Sequence, residues 1–318
     1  MTLKNLKMLE LKVYRKENMQ DWDSLIKRSK NGTFLFLRSY MDYHSHRFSD
    51  LSFMIYRKGK IEGVLPGNIA NKIYYSHQGL SYGGLVLTEK ISVSEVLIIF
   101  ELLNQELRNR GVEKVIYKPI PYIYHKMPSQ EDIYALFKMG AIKIACNISS
   151  TIYQRNKLNF IESRKSGIRK SKKFNVEFIE SNRFDLFWPI LNENLTNKYE
   201  KNAVHSLEEI SYLHDQFPNS IKLYLASINQ RIVAGTVLYL MDNVIHVQYI
   251  SANEEGKSTG ALDMIFDKLI NDIYKEYPIF DFGQSTEDNG YYLNENLIFQ
   301  KEGFGGRGVV FDTYEILV

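Results

Sequence analysis

Two stretches of this 318-residue chain repeat one pattern of strand, tight turn and strand, and that repetition limits the fold more than any other feature. Phe53-Met54-Ile55-Tyr56, the turn Arg57-Lys58-Gly59-Lys60 and Ile61 to Leu65 form the first hairpin; Leu223 to Ala226, Ser227-Ile228-Asn229-Gln230 and Ile232 to Leu238 form the second. Further strand and then an amphipathic helix follow each. Leu97, Phe100, Leu103 and Leu107 recur at helical spacing between about Val93 and Arg110, and Leu262, Ile265, Phe266, Leu269 and Ile273 do so between about Gly260 and Lys275. Val112 to Tyr117 and Tyr277 to Phe282 are the strands that come next. The chain therefore reads as an internal duplication of an α+β module, with domains at 1–155 and 156–318. A hydrophobic content of 44% over this length suffices for two cores.

Composition narrows the partners. Forty basic and 37 acidic side chains leave +3, so the chain as a whole lacks the field of a nucleic-acid binder. The charge is local instead. Arg155, Lys157, Arg164, Lys165, Arg169, Lys170, Lys172 and Lys173 stand against Glu162, a balance of +7 that leaves about −4 for the remainder. That segment reads either as a solvated helix joining two domains or as a phosphate contact. No run approaches about 18 uncharged apolar residues, since even Val96 to Phe100 is closed by Glu101. Met1 to Gln20 lacks the apolar core of a signal peptide, and a cytoplasmic protein without a membrane span is expected. Cys146 is the single cysteine, which excludes an internal disulfide, and its strand-like flanks predict a buried thiol. His44, Ser45 and His46 have no third ligand at a recognisable spacing, so no metal is expected.

The end of the chain carries the most specific pattern. Asp281-Phe282-Gly283-Gln284-Ser285 brings a carboxylate and a hydroxyl to the end of a buried strand. Gly290-Tyr291-Tyr292-Leu293-Asn294-Glu295-Asn296-Leu297 opens a polar-faced helix, and Lys301-Glu302-Gly303-Phe304-Gly305-Gly306-Arg307 turns into a last strand. This order resembles the end of the acyltransferase domain of the GNAT superfamily, in the tandem-domain branch that includes the bacterial Fem-type aminoacyl-tRNA-dependent peptidyltransferases. Tyr75 to Leu85 and Lys118 to Lys126 look like strand and loop signatures of tandem GNAT proteins, so the resemblance covers nearly the whole chain.

The resemblance implies two tandem GNAT (acyl-CoA N-acyltransferase) folds of the α+β class, each a mixed, mostly antiparallel sheet flanked by helices. It implies a degenerate N-terminal domain and a catalytic C-terminal one. The implied activity is N-acyl transfer from acyl-CoA to a small-molecule amine, on an amino sugar or an amino-acid-like precursor of an envelope or surface polymer. A Fem-like peptidyltransferase drawing its acyl group from tRNA is the alternative enzyme, and a ligand-binding protein on a GNAT fold is the non-catalytic alternative.

Site residues follow from these readings. A pantetheine arm is expected to pair where two central strands splay, beside Tyr249 and Ser251 of the strand Val244 to Ser251. The pyrophosphate is expected at Lys257, Ser258, Thr259, Gly260 and Ala261, where glycine admits close backbone approach, lysine adds charge and Ser258 or Thr259 caps a helix. That loop departs from the usual GNAT spacing, with Gly256 and Thr259 where Arg or Gln and Gly are expected. Alternation puts His246 and Gln248 on one face of the strand and Ile245, Val247 and Tyr249 on the other. His246 is the candidate base, or a hydrogen-bonded structural group, and Asp281 lies near the same edge as base or structural carboxylate. The resemblance implies that Tyr292, opening the final helix, protonates the leaving thiolate. Gln248, Ser285 and Asn294 are expected on the acceptor side. Tyr199 and His205 should project from the loop Asn197 to Glu209, in which Ser206 and Glu209 form a structural capping box.

Overall fold

In a computed structural model both hairpins form, each on a two-residue turn with two positive φ angles: Lys58 (49°) and Gly59 (76°), then Asn229 (48°) and Gln230 (64°). Turns of that hand match the right-handed twist of the strands they join. Residues 9–199 and 202–318 are described, without the side chains of Lys198 and Tyr199. They divide into two units, one of residues up to Asn147 with Asp288–Tyr291 and Val310–Val318, the other of Ile148–Glu287 with Tyr292–Val309.

The first unit carries β1 (Leu9–Val13), α1 (Met19–Arg28), β2 (Phe53–Arg57), β3 (Lys60–Leu65), β4 (Asn68–Ala70), β5 (Ile73–Tyr75), β6 (Val86–Leu87), α2 (Val93–Asn109), β7 (Lys114–Tyr117) and α3 (Glu131–Lys138). β1, β2, β3 and β6 pair antiparallel in that order. β4 pairs antiparallel with β5, and β5 parallel with β7. Ser92 and Glu95 close a capping box at the start of α2. Val96, Phe100, Leu103 and Leu107 of that helix share a core with Phe53, Leu65, Val115 and Tyr117, while Leu97 packs at its margin. Cys146 is on a strand as expected but exposed, a correction explained by the uncovered face it shares with Ile142 and Ile144. Partial burial and Asp312 push its thiol upward, away from the reactive thiolate.

Chain order continues with β8 (Ile142–Tyr153), α4 (Glu162–Lys173), β9 (Glu177–Ser181), α5 (Phe184–Tyr199), α6 (Leu207–Gln216), β10 (Ile221–Ile228), β11 (Arg231–Leu240), β12 (Val244–Ala252), α7 (Glu254–Thr259), α8 (Ala261–Asp267), β13 (Ile279–Gln284), α9 (Glu295–Gly303) and β14 (Arg307–Leu317). In the second unit β9 to β12 form an antiparallel meander, β13 adds in parallel to β12, and β8 pairs antiparallel with β13. The Ser206–Glu209 capping box opens α6 as expected. Ile265, Phe266, Leu269 and Ile270 are buried against Ile245, Val247, Phe280, Phe282 and Phe304. Ile273, expected in that stripe, is 46% exposed because Lys268–Ile273 is a π-helical turn, whose extra residue hands the inward place to Tyr274.

The helix expected to open at Gly260 starts earlier. Asn253 caps α7, its Oδ1 accepting the Gly256 N–H at 2.9 Å. Ser258 and Thr259 are therefore not caps; they lie inside the helix and donate back to the Glu255 carbonyl at 2.9 and 2.7 Å. Gly260 forms a left-handed break (φ 75°) between α7 and α8. What approaches its backbone is α4: a Cβ at Gly260 would lie 2.2 Å from the Gly167 carbonyl oxygen, and one at Gly167 would lie 1.9 Å from Asp263 Oδ2. Arg164 of α4 donates to Asp263 at 2.8 Å across the same contact and lies over the Phe304 ring. Gly260→Val should therefore destabilise the fold by about 3 kcal/mol, through backbone overlap and an unfavourable φ. A denaturation midpoint unchanged from that of the parent would contradict this packing role.

Candidate functional site

Pairing between β12 and β13 lasts three residues, Val244 with Ile279, Ile245 with Phe280 and His246 with Asp281. Two irregularities end it. In β12, Val247 faces Leu238 and Tyr249 faces Val237, which leaves Gln248 as a bulge. In β13, Gly283 takes φ 75°, and the register with β8 shifts between Asp281 and Gln284. The bulge corrects the expected alternation: Val247 stays with the aliphatic core, whereas Tyr249 crosses to pack on Trp188 and His205.

An imidazole and a carboxylate meet where the strands part. His246 Nδ1 lies 2.7 Å from Asp281 Oδ2. Asp281 has no exposed surface, and its Oδ1 accepts from Thr151 Oγ1 at 2.9 Å and from Ser149 Oγ. Burial alone would push this carboxyl up, but the hydrogen bonds from His246, Ser149 and Thr151 outweigh it and hold the carboxyl below its ordinary value. A carboxylate on Nδ1 makes that nitrogen the N–H of a neutral ring and leaves the basic lone pair on Nε2. That is the arrangement of a general base with its orienting acid.

Lys301 of α9 adds a buried amine, which the sequence reading did not single out. Its Nζ donates to the Gly283 and Gln284 carbonyls at 2.8 and 2.6 Å, and only 5% of the residue is exposed. Burial lowers its pKa to about 8, against an upward pull from Asp281. Ser149 and Thr151 were missed as well. Their two-residue spacing on a strand was the available signal.

The remaining expected residues are distributed unevenly. His205 does not project from its loop; it is buried, with Nδ1 2.5 Å from the Tyr249 hydroxyl, and accepts from Trp188 Nε1 at its carbonyl. Burial pushes the Tyr249 phenol up to about 12. Tyr292 does not open the final helix, because Asn294 caps it by accepting the Leu297 N–H at 3.1 Å. Tyr292 is instead 57% exposed in a two-residue strand against Thr286–Glu287. Ser285 is buried, and its Oγ has no hydrogen-bond partner among the described residues. Ser251 donates to the Ile190 carbonyl, and Lys257 Nζ donates to Glu254 at 2.6 Å. Ala261 is buried at the start of α8, Gln248 is half-buried in the bulge, and the Tyr199 side chain lies outside the described residues.

Past the splay, Ile250, Ser251 and Ala252 line a cleft of about 260 Å³ together with Leu191, Asn194 and Leu195 of α5, Lys257, Leu262, and Leu297 and Gln300 of α9. The first unit has no such pair at the corresponding place: the third residue pair of its parallel strands β5 and β7 is Tyr75 with Ile116. Among the described residues no three His, Cys, Asp or Glu side chains converge as a metal site, and no helix is long and apolar enough to cross a membrane.

No family model and no curated protein matches this sequence. Solved structures match over nearly its whole length. FemX superposes with a TM-score of 0.69 at 11% identity, covering 97% of each chain. The C-terminal domain of a putative lysylphosphatidylglycerol synthetase from Agrobacterium fabrum gives 0.62 at 8% identity, over 94% of this chain and 91% of that one. A tandem GNAT protein from the clavulanic acid biosynthesis pathway gives 0.50 at 8% identity, over 97% and 98%. The fold is the one FemX and tandem GNAT proteins share. At these identities the likeness is one of fold, and function must be argued from the site.

Lys301 allows a direct check of this geometry. Its folded pKa, about 8, lies below the ordinary 10.5, so between those values the unfolded chain binds more protons and this group makes stability rise with pH. Replacing it in Lys301→Met should flatten that rise. The parent's stability relative to the variant should then increase by about 3 kcal/mol between pH 8 and 10.5 in denaturation experiments. A difference independent of pH would show that the amine is not buried as described.

Proposed function

We propose that this chain transfers an acyl group from an activated carrier to an amine, with its reaction centre in the second unit. The carrying observation is the His246–Asp281 pair at the point where β12 and β13 separate. In the step, the neutral amine attacks the donor carbonyl carbon and the C–N bond forms as His246 Nε2 takes the amine proton. The tetrahedral intermediate then collapses, the C–O or C–S bond to the carrier breaks, and His246 returns the proton to the leaving oxygen or sulfur. Asp281 holds the ring and its tautomer, while Lys301 holds the Gly283 turn. The half of the chain up to about Arg155 is the degenerate partner, consistent with Tyr75 and Ile116 at its equivalent strand pair. The acceptor is an amine on an amino sugar or amino-acid-like precursor of a surface polymer, as the Fem-type resemblance implies.

Of the two donors, an aminoacyl ester of tRNA fits the second unit better than acyl-CoA. The amides at and beyond Lys257 belong to a formed helix, with Lys257 N–H already donating to Asn253 O. The first turn of that helix carries Glu254 and Glu255, whose charges oppose a pyrophosphate there. On α4, by contrast, Lys165, Arg169, Lys170, Lys172 and Lys173 are all exposed. Acyl-CoA retains one observation in its favour, the cleft beside the open edge of β12.

His246→Gln should lower transfer about 100-fold or more while leaving the chain folded, as a cooperative thermal melt would show. The assay would supply acetyl-CoA or charged tRNA with a panel of amines and follow the acylated amine by mass spectrometry; undiminished turnover would remove His246 as the base. For the donor, replacing Lys165, Lys170, Lys172 and Lys173 by Gln should reduce the slope of log affinity for tRNA against log salt by about 3. Affinity indifferent to those four charges would return the choice to acyl-CoA.

A further inference from the structure

The open edge of β12 beyond Gln248 is the surface on which an extended donor arm would pair. Asn253 N–H donates to the Val233 carbonyl, so residues 251 and 253 turn their backbone groups toward β11. Ile250 and Ala252 consequently turn theirs to the edge that β13 has left. The Ala252 carbonyl is already engaged. Asn194 Nδ2 donates to it at 2.8 Å and to Ser251 Oγ at 2.7 Å, with the Ile190 carbonyl at 3.1 Å. Asn194 Oδ1 accepts from Lys257 Nζ at 3.2 Å. A primary amide has two N–H groups, so three acceptors within reach leave neither uncommitted. The Asn194 side chain thus sits at the end of β12 as the amide of a bound chain would.

We infer that Asn194 is a specificity-determining residue that closes this edge to pantetheine-like donors, whose amides need the strand's own hydrogen-bonding groups. An arm of that kind must first displace the Asn194 amide, at the cost of the hydrogen bonds it gives to Ser251 Oγ and the Ile190 carbonyl. It must also part Lys257 from Asn194, and Lys257 then remains paired with Glu254 rather than offered to an anion. What the cleft presents with Asn194 in place is chiefly apolar: Leu195, Ile250, Leu262 and Leu297 line it, each half-buried. A donor without an amide-bearing arm can use those contacts, and a pantetheine arm cannot use them without losing its ladder. The inference rests on the reading of this edge as the donor site and gives that site a named discriminator.

The test is calorimetric titration of the full chain with coenzyme A itself, comparing the parent with Asn194→Ala and Asn194→Ser after thermal melting has shown which variants are folded. Coenzyme A should bind a folded variant on the order of tenfold or more tightly than it binds the parent. Three results would overturn the assignment: equal binding by parent and variants, no binding by any of them, or binding weakened by the substitution, which would make Asn194 a ligand contact. The readout is equilibrium binding, so it fails separately from the reaction. Loss of transfer in His246→Gln alongside indifference of coenzyme A binding to Asn194 would leave the proposed chemistry standing and remove the gate.

Discussion

Asp281 is a carboxylate with no exposed surface, and three strands are arranged so that its charge can be tolerated. β8 supplies the Ser149 and Thr151 hydroxyls, β12 supplies the His246 ring, and β13 carries the carboxylate between them. An unpartnered buried charge costs several kcal/mol, so each donor is coupled to the stability of the strands around it. The coupling also ties chemistry to register. Asp281 pairs opposite Thr151, and a slip of one residue would present Ile152 in its place and turn both hydroxyls to the other face.

The same strands must also come apart. A parallel pair that ends after three residues strands backbone groups that a continuing ladder would satisfy. Lys301 meets that demand at β13, donating to two successive carbonyls at the positive-φ turn of Gly283. Asn194 meets it at β12. Both are side chains from helices, and both fill roles that a neighbouring strand would otherwise have. The opening beside the His246–Asp281 pair is thus held open by specific hydrogen bonds rather than by an absence of packing.

Each unit has a parallel strand pair three residues long, and the comparison separates backbone from chemistry. Ile73, Tyr74 and Tyr75 pair with Lys114, Val115 and Ile116 in one; Val244, Ile245 and His246 pair with Ile279, Phe280 and Asp281 in the other. Pairing geometry recurs, while the acid–base pair occurs in the second alone. The proposed placement of the reaction centre in the second unit rests on that contrast. Fold likeness to FemX and tandem GNAT proteins is indifferent to this distinction, since it follows the backbone.

Local chemistry in the chain determined a good deal by itself. Turn residues able to adopt positive φ marked both hairpins, and the capping box at Ser206 and Glu209 marked a helix start, because each depends on residues within a few positions of one another. His246 and Asp281 stood out as polar side chains flanked by apolar neighbours, Ile245 and Val247 for one and Phe280 and Phe282 for the other. Other features depended on partners far away in the chain. Ser149 and Asp281 are 132 positions apart, Lys301 reaches carbonyls 17 and 18 positions back, and Gly260 meets a helix at Gly167. The Gln248 bulge and the π turn after Asp267 likewise shift side chains from the faces that simple periodicity assigns. Sequence fixes which elements can form because those preferences act over a turn or two of chain. Only the packed structure decides which of their polar groups meet, because a buried charge or an unpaired carbonyl takes its partner from whatever the fold brings within hydrogen-bonding distance.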